Sequence, residues 1–138
     1  MDHLVPLTEA WDSGASAWTS KERQDYANDP GDARALIAVS AASNRSKSDQ
    51  DPATWQPPAA GYRCAYATDW IAIKTRWELA IDNAERAALT DIVSSCPNSP
   101  VEVTLAAERR RLPCPERWPR RDRGDQRLGP VMPRPRLR

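Results

Sequence analysis

Tyr62, Tyr66, Trp70, Ile73 and Trp77 recur at intervals of four, four, three and four residues. This stripe predicts a helix of about five turns with one aromatic face on the core. Asp82 and Glu85 have capping spacing, and Leu89, Ile92 and Val93 give the next helix its apolar face, which stops by Pro97. Nearer the N-terminus the pattern is shorter in range. Residues 1–7 read as extended, because Pro6 disfavours helix at Val5. Thr8 can cap a short helix through Glu9, Ala10 and Trp11, weakened at Gly14. Thr19 with Glu22 has capping-box spacing and opens a polar helix from Ser20 to about Ala27. Asn28-Asp29-Pro30-Gly31-Asp32 is a turn, and the apolar run Leu36-Ile37-Ala38-Val39 after it is the best strand candidate. Ser43 can cap a short helix that carries Asn44 and Lys47 on one face. Pro52, Pro57 and Pro58 bracket a rigid loop around Trp55.

Past Pro97 the pattern ends. Residues 108–138 contain 11 Arg and 6 Pro with one aromatic, Trp118, which predicts a disordered tail. The formal charge of +1 therefore hides an asymmetry. Residues 1–107 carry 9 basic and 15 acidic residues, a balance of −6, whereas the tail sets its 11 Arg against 4 acids, a balance of +7. Attraction to a polyanion belongs to the tail alone, and as a disordered segment it would act by counterion release without sequence preference. No run of ~18 apolar residues predicts a membrane helix, and no basic-then-apolar opening predicts a signal peptide. The single histidine, His3, excludes multi-histidine metal clusters. None of the three cysteines, at 64, 96 and 114, lies in a C-x-x-C pair. Cys64 and Cys96 read either as two buried thiols or as a disulfide closing a loop of about thirty residues, worth ~3 kcal/mol in an oxidising compartment.

Chemistry concentrates at Asp2-His3 and Asn44. A carboxylate and an amide oxygen are hard ligands suited to Mg²⁺, and a neutral imidazole beside them can take a proton from water. On spacing alone, an Asp-His pair near a terminus reads as a solvated surface pair. Glu9 and Asp12 read as solvated helix residues rather than support for a metal. Trp11, Trp18 and Trp55 read as core rather than as platforms for bases. Arg45 suits either a phosphate or an ion pair with Asp49 and Asp51.

The order Asp2-His3-Leu4-Val5-Pro6-Leu7, Glu9-Ala10-Trp11 and Ser43-Asn44-Arg45-Ser46-Lys47-Ser48-Asp49 resembles the HNH endonuclease family. It is most similar to small, often secreted bacterial HNH proteins related to the C-terminal nuclease domain of modification-dependent restriction enzymes. The likeness runs through Trp18, Ala27-Asn28-Asp29, Leu36 to Val39, Trp55, Tyr66, Trp70 and Lys74 to Cys96. The resemblance implies a small α+β domain, mainly helical, built on a ββα-metal core. It implies hydrolysis of DNA phosphodiester bonds with one divalent metal, Mg²⁺ or Mn²⁺. His3 would be the general base, and Asp2 and Asn44 the metal ligands. Lys47 would contact phosphate or anchor the structure. Asn28 is the nearest match to the middle asparagine, whose role is to hold the histidine loop. Cys64 and Cys96 match a pair that is a disulfide in secreted members.

No base-reading element is visible, so little sequence preference is expected; no membrane partner is expected, and no protein partner is identifiable. The family's first strand should enter Asp2 from upstream, where only Met1 stands, so the chain is expected to be truncated and to lack that strand. Relatives carry an N-terminal segment, often with an export signal, so secretion is implied for them and left open here. The nuclease domain is expected at residues 1–97 and the basic tail at 98–138. The alternative reading is a truncated, inactive relative that at most binds nucleic acid.

Overall fold

In a computed structural model, which describes residues 1–106, the first strand is only two residues long, Asp2–His3 (β1). It pairs antiparallel with Leu36–Ile37 (β2), Asp2 opposite Ile37 and His3 opposite Leu36. Leu4 N–H continues the ladder to the Ala35 carbonyl at 3.1 Å. Asp2 and His3 thus form a short paired strand inside the stretch 1–7 expected to be extended. Two residues are too short for any periodic signature. Leu4 and Val5, fully buried, pin the strand to the core and keep a terminal segment from fraying. β2 occupies the front half of the predicted 36–39 run.

Five α-helices surround the hairpin: Leu7–Asp12 (α1), Ser20–Ala27 (α2), Ala41–Lys47 (α3), Arg63–Arg76 (α4) and Asn83–Ser94 (α5). The architecture is α+β and mainly helical, as expected. α1 starts behind Pro6 rather than at a Thr8 cap. Gly14 follows it at φ +131°, a conformation that suits only glycine well. α2 has the predicted capping box: Thr19 Oγ1 accepts from Glu22 N–H, and the Glu22 carboxylate accepts from Thr19 N–H. α3 is capped by Ser40, whose hydroxyl accepts from Ser43 N–H, so the cap lies three residues before the expected one. Asp82 caps α5.

The stripe on α4 is buried at Tyr66, Trp70 and Ile73, with Trp77 buried just past the helix end. Tyr62 is the exception and sits at the surface before α4. Cys64 and Cys96 form a disulfide with Cα atoms 5.7 Å apart, tying the start of α4 to the end of α5. Trp18 and Trp55 pack partly buried on the core, as expected. Trp11 does not: it is half exposed, with the Arg23 guanidinium 5.2 Å from its ring centre.

A polar knot runs through the core. The Lys74 ammonium donates to Glu9 Oε1 at 2.8 Å, Ser13 Oγ at 2.5 Å and the Ala80 carbonyl at 2.9 Å, and lies 3.3 Å from Glu85 Oε1. The Trp70 indole donates to the same Glu85 carboxylate. Burial pushes the Glu85 carboxyl above its usual range, against the pull of Trp70 and Lys74. Glu9 is therefore a tether between α1 and α4, not the solvated residue expected. Asp12 is exposed, as expected. Residues after 97 also touch the body. The Glu102 and Thr104 carbonyls accept from Arg34 and Arg76, and Ala106 is buried. Cys114, Trp118 and the arginine-rich segment lie outside the described residues. Among those described, no helix is long and apolar enough to cross a membrane.

Candidate active site

Successive strand residues face opposite sides, so β1 presents Asp2 and His3 to different helices. His3 turns toward α2. Its Nε2 lies 2.8 Å from the carbonyl oxygen of Ala27, the last residue of that helix. A carbonyl only accepts, so Nε2 must carry the hydrogen. In the neutral ring the lone pair then sits on Nδ1. The Ala27 carbonyl is one of the orphan acceptors that every helix leaves at its C-terminus, and His3 satisfies it. The imidazole also stacks beside Tyr26, with ring centres 6.4 Å apart and planes 14° apart. Tyr26 O–H donates to the Val5 carbonyl at 2.7 Å, fixing both walls of the histidine's slot. Burial pushes the Tyr26 phenol far up, helped by Glu9 and Asp29, so it remains a donor.

Asn28 caps the same helix end. Its side-chain amide donates to the Gln24 carbonyl at 3.0 Å, and its backbone N–H to the same oxygen at 3.1 Å. It thus holds the turn beside the carbonyl that His3 uses, without touching the ring. Asp29 anchors that turn to α4. Its carboxylate takes Arg76 Nε and Nη2 at 2.7 and 2.9 Å, the Trp77 indole N–H at 3.0 Å and Gly31 N–H at 2.9 Å. Burial opposes the charge, but Arg76, Gly31 and Trp77 together hold the Asp29 carboxyl below its ordinary range. Sequence reasoning missed Tyr26, Asp29 and Arg76. The turn at Asp29 was legible as an Asx pattern, whereas its partner 47 residues away had no local signal.

On the other side, Asp2 faces α3. The Lys47 ammonium donates to Asp2 Oδ2 and to the His3 carbonyl, both at 2.7 Å. Lys47 is buried, and burial lowers its pKa despite the opposing pull of Asp2 and Asp49. Of its two expected roles, this geometry is that of an anchor. Asn44 precedes Lys47 by three residues on α3 and so shares its face. It is exposed, and among the described residues its amide takes no hydrogen-bond partner. Arg45 is exposed too, without an ion pair among those residues. No three His, Cys, Asp or Glu side chains gather as a metal cluster among the described residues. What α3 brings to Asp2 is the Lys47 ammonium, with Asn44 one turn earlier on the same helix. The elements that carry these groups are β1, the C-terminal end of α2, and α3.

Residues 1–92 match the model of one family, the C-terminal domain of GmrSD restriction endonucleases, and the chain belongs to that family. It is 44% identical over 96 residues to an "uncharacterized secreted protein" of Arthroderma benhamiae. The aligned part covers 70% of this chain and 47% of that relative, so the chain spans about half the relative's length. No solved structure matches.

Proposed function

We propose that this protein hydrolyses DNA phosphodiester bonds, with His3 as general base. The observation that carries this reading is the bond from His3 Nε2–H to the Ala27 carbonyl. It leaves Nδ1 as the basic nitrogen, held by a helix end that Asn28 and Asp29 brace. Nδ1 takes a proton from a water molecule. The water oxygen forms a bond to phosphorus as the bond to the leaving sugar oxygen breaks, and that oxygen departs with the electron pair. Lys47 keeps Asp2 in register with α3, and Asn44 lies one turn away with its amide unengaged. Asp2 Oδ1 and the Asn44 carbonyl oxygen are the atoms that would hold a divalent metal. Two hard oxygen ligands fit Mg²⁺ or Mn²⁺, which keep several waters and share substrate phosphates, better than an ion that needs an all-protein cage. Once bound, the metal would offset charge building on the phosphate. The family membership supports DNA as the substrate.

The family membership supports the nuclease class. Secretion is part of the same reading. It is supported by the name of the A. benhamiae relative and by the Cys64–Cys96 disulfide, a bond that persists in oxidising compartments. The test is cleavage of plasmid DNA with Mg²⁺ or Mn²⁺. His3→Ala is expected to lose roughly 10²- to 10⁴-fold in rate, the usual share of a general base, and EDTA to stop the reaction. Equal cleavage by His3→Ala rejects the assignment.

A further inference from the structure

Beside Asp2, on the face of the hairpin away from His3, lies a cavity of about 290 Å³. It is enclosed by β2, α3, the proline loop and the start of α4, and the reaction assigned to Asp2 and His3 uses none of its aromatic lining. Three features mark it as a binding site rather than a packing gap. Its walls include flat surfaces, namely Trp55, Tyr62, Pro57 and Pro58. Tyr66 forms another part of the wall, and its hydroxyl is buried with no hydrogen-bond partner, the only such side-chain atom among the described residues. A buried hydroxyl without a partner costs about 1–3 kcal/mol of lost hydration, so such a group in native proteins calls for a ligand or a water. Third, Asp2 is among the residues that line it.

The occupant follows from chemistry. The one cation in the lining is Lys47, and its ammonium is already bonded to Asp2 and the His3 carbonyl. The cavity is therefore not a phosphate site. Its volume is near the roughly 300 Å³ lower end of small-molecule pockets, enough for one ring system and too little for a stacked base pair. Aromatic and proline faces suit a planar heterocycle, and the Tyr66 hydroxyl and Asp2 suit the polar edge of one.

We infer that this cavity receives a single unstacked nucleobase of the DNA strand, next to the phosphate being cut. The inference rests on the nuclease reading above. It predicts that frayed, mismatched or single-stranded DNA is a better substrate than perfect duplex, because unstacking a base costs a few kcal/mol in duplex.

The test has one arm without metal and one with it. In EDTA, the full-length protein is titrated into a single-stranded oligonucleotide carrying 2-aminopurine, whose fluorescence is quenched on stacking. Wild type is expected to quench it. Tyr62→Ala, a change at an exposed rim residue, is expected to lose most of the quenching. Tyr66→Phe is expected to bind about fivefold more weakly, the effect of one hydrogen bond. Its fold should be unharmed, since the hydroxyl has no partner to lose. In Mg²⁺, an abasic site beside the cut position is expected to slow cleavage at least fivefold. Quenching unaffected by both substitutions, or an abasic strand cut as fast as an intact one, overturns the inference. The binding arm does not depend on hydrolysis, so a wild-type protein that cleaves DNA but does not quench 2-aminopurine rejects only the base site. Cleavage that survives His3→Ala rejects the nuclease assignment instead.

Discussion

Lys47 and Asp29 are the charged residues on which the geometry of Asp2 and His3 depends, and each can be tested alone. Lys47→Met leaves Asp2 Oδ2 and the His3 carbonyl without a donor in a buried setting. Removing one partner of a buried pair typically costs about 3–5 kcal/mol, so the urea midpoint should fall sharply; a loss below about 1 kcal/mol would show the pair to be solvated. Asp29 acts through pH. Its carboxyl lies below the ordinary range in the folded state, so folding favours its charged form. That stabilisation is complete above the unfolded value of about 3.9 and is lost as pH falls through the lower folded value. Asp32, held down by Arg34, adds a contribution of the same sign. Stability measured by denaturant titration should drop below about pH 4, and Asp29→Asn should both lower the plateau and shrink that drop. If Asp29→Asn leaves the acid limb unchanged, the Arg76 contact does not govern the turn. Neither residue's partner was legible in the sequence. Lys47 and Asp2 are 45 positions apart, and Asp29 and Arg76 are 47 apart, with nothing local to join them.

Elements with their signals inside a few residues were legible, and elements specified from a distance were not. α2 follows from Thr19 and Glu22 alone, and α4 from its aromatic period. β1 is a strand only because Leu36 and Ile37 lie across from it, and its two residues carry no pattern of their own. α3 shows a smaller failure of the same kind. Ser40 and Ser43 both precede polar helical residues, and nothing local says which one caps. Two predictions belong at this scale. Thr19→Ala removes one half of the capping box and should cost about 1 kcal/mol in thermal or chemical unfolding, with little effect on cleavage. Reducing the Cys64–Cys96 bond, or replacing both cysteines by serine, frees a loop whose ends are 32 residues apart and should cost about 4 kcal/mol on the loop-entropy account. A melting temperature unmoved by reductant would mean that α4 and α5 are held by packing alone. The α4 face supplies an independent reason to expect some residual stability, since Tyr66, Trp70 and Ile73 are buried on it.

Across the whole molecule, the hairpin is gripped from two sides, by α2 through the His3 ring and by α3 through Asp2 and Lys47, while charge is divided along the chain. The body carries the site but is acidic, −6 over residues 1–107, and so repels DNA at long range; residues 108–138 carry +7. On the proposed reading, catalysis would belong to the body and long-range attraction to DNA to residues 108–138. Every residue of the described core lies between Leu4 and Ala106, so deleting 108–138 removes none of it. The shortened protein should fold with the same melting temperature. Its affinity for DNA should fall at low salt, and its salt dependence should flatten. Each arginine that no longer neutralises a phosphate takes about 0.9 from the slope of log affinity against log salt on duplex DNA. At saturating DNA the rate of cleavage should match the full chain and should still require His3. A shortened protein that binds as tightly and with the same salt slope would place the DNA-binding charge on the body, where Arg45 and Lys21 are exposed, and would make the tail irrelevant to capture. One that binds weakly and no longer cuts even at saturation would mean that the tail orients the strand at the site rather than merely concentrating DNA near it.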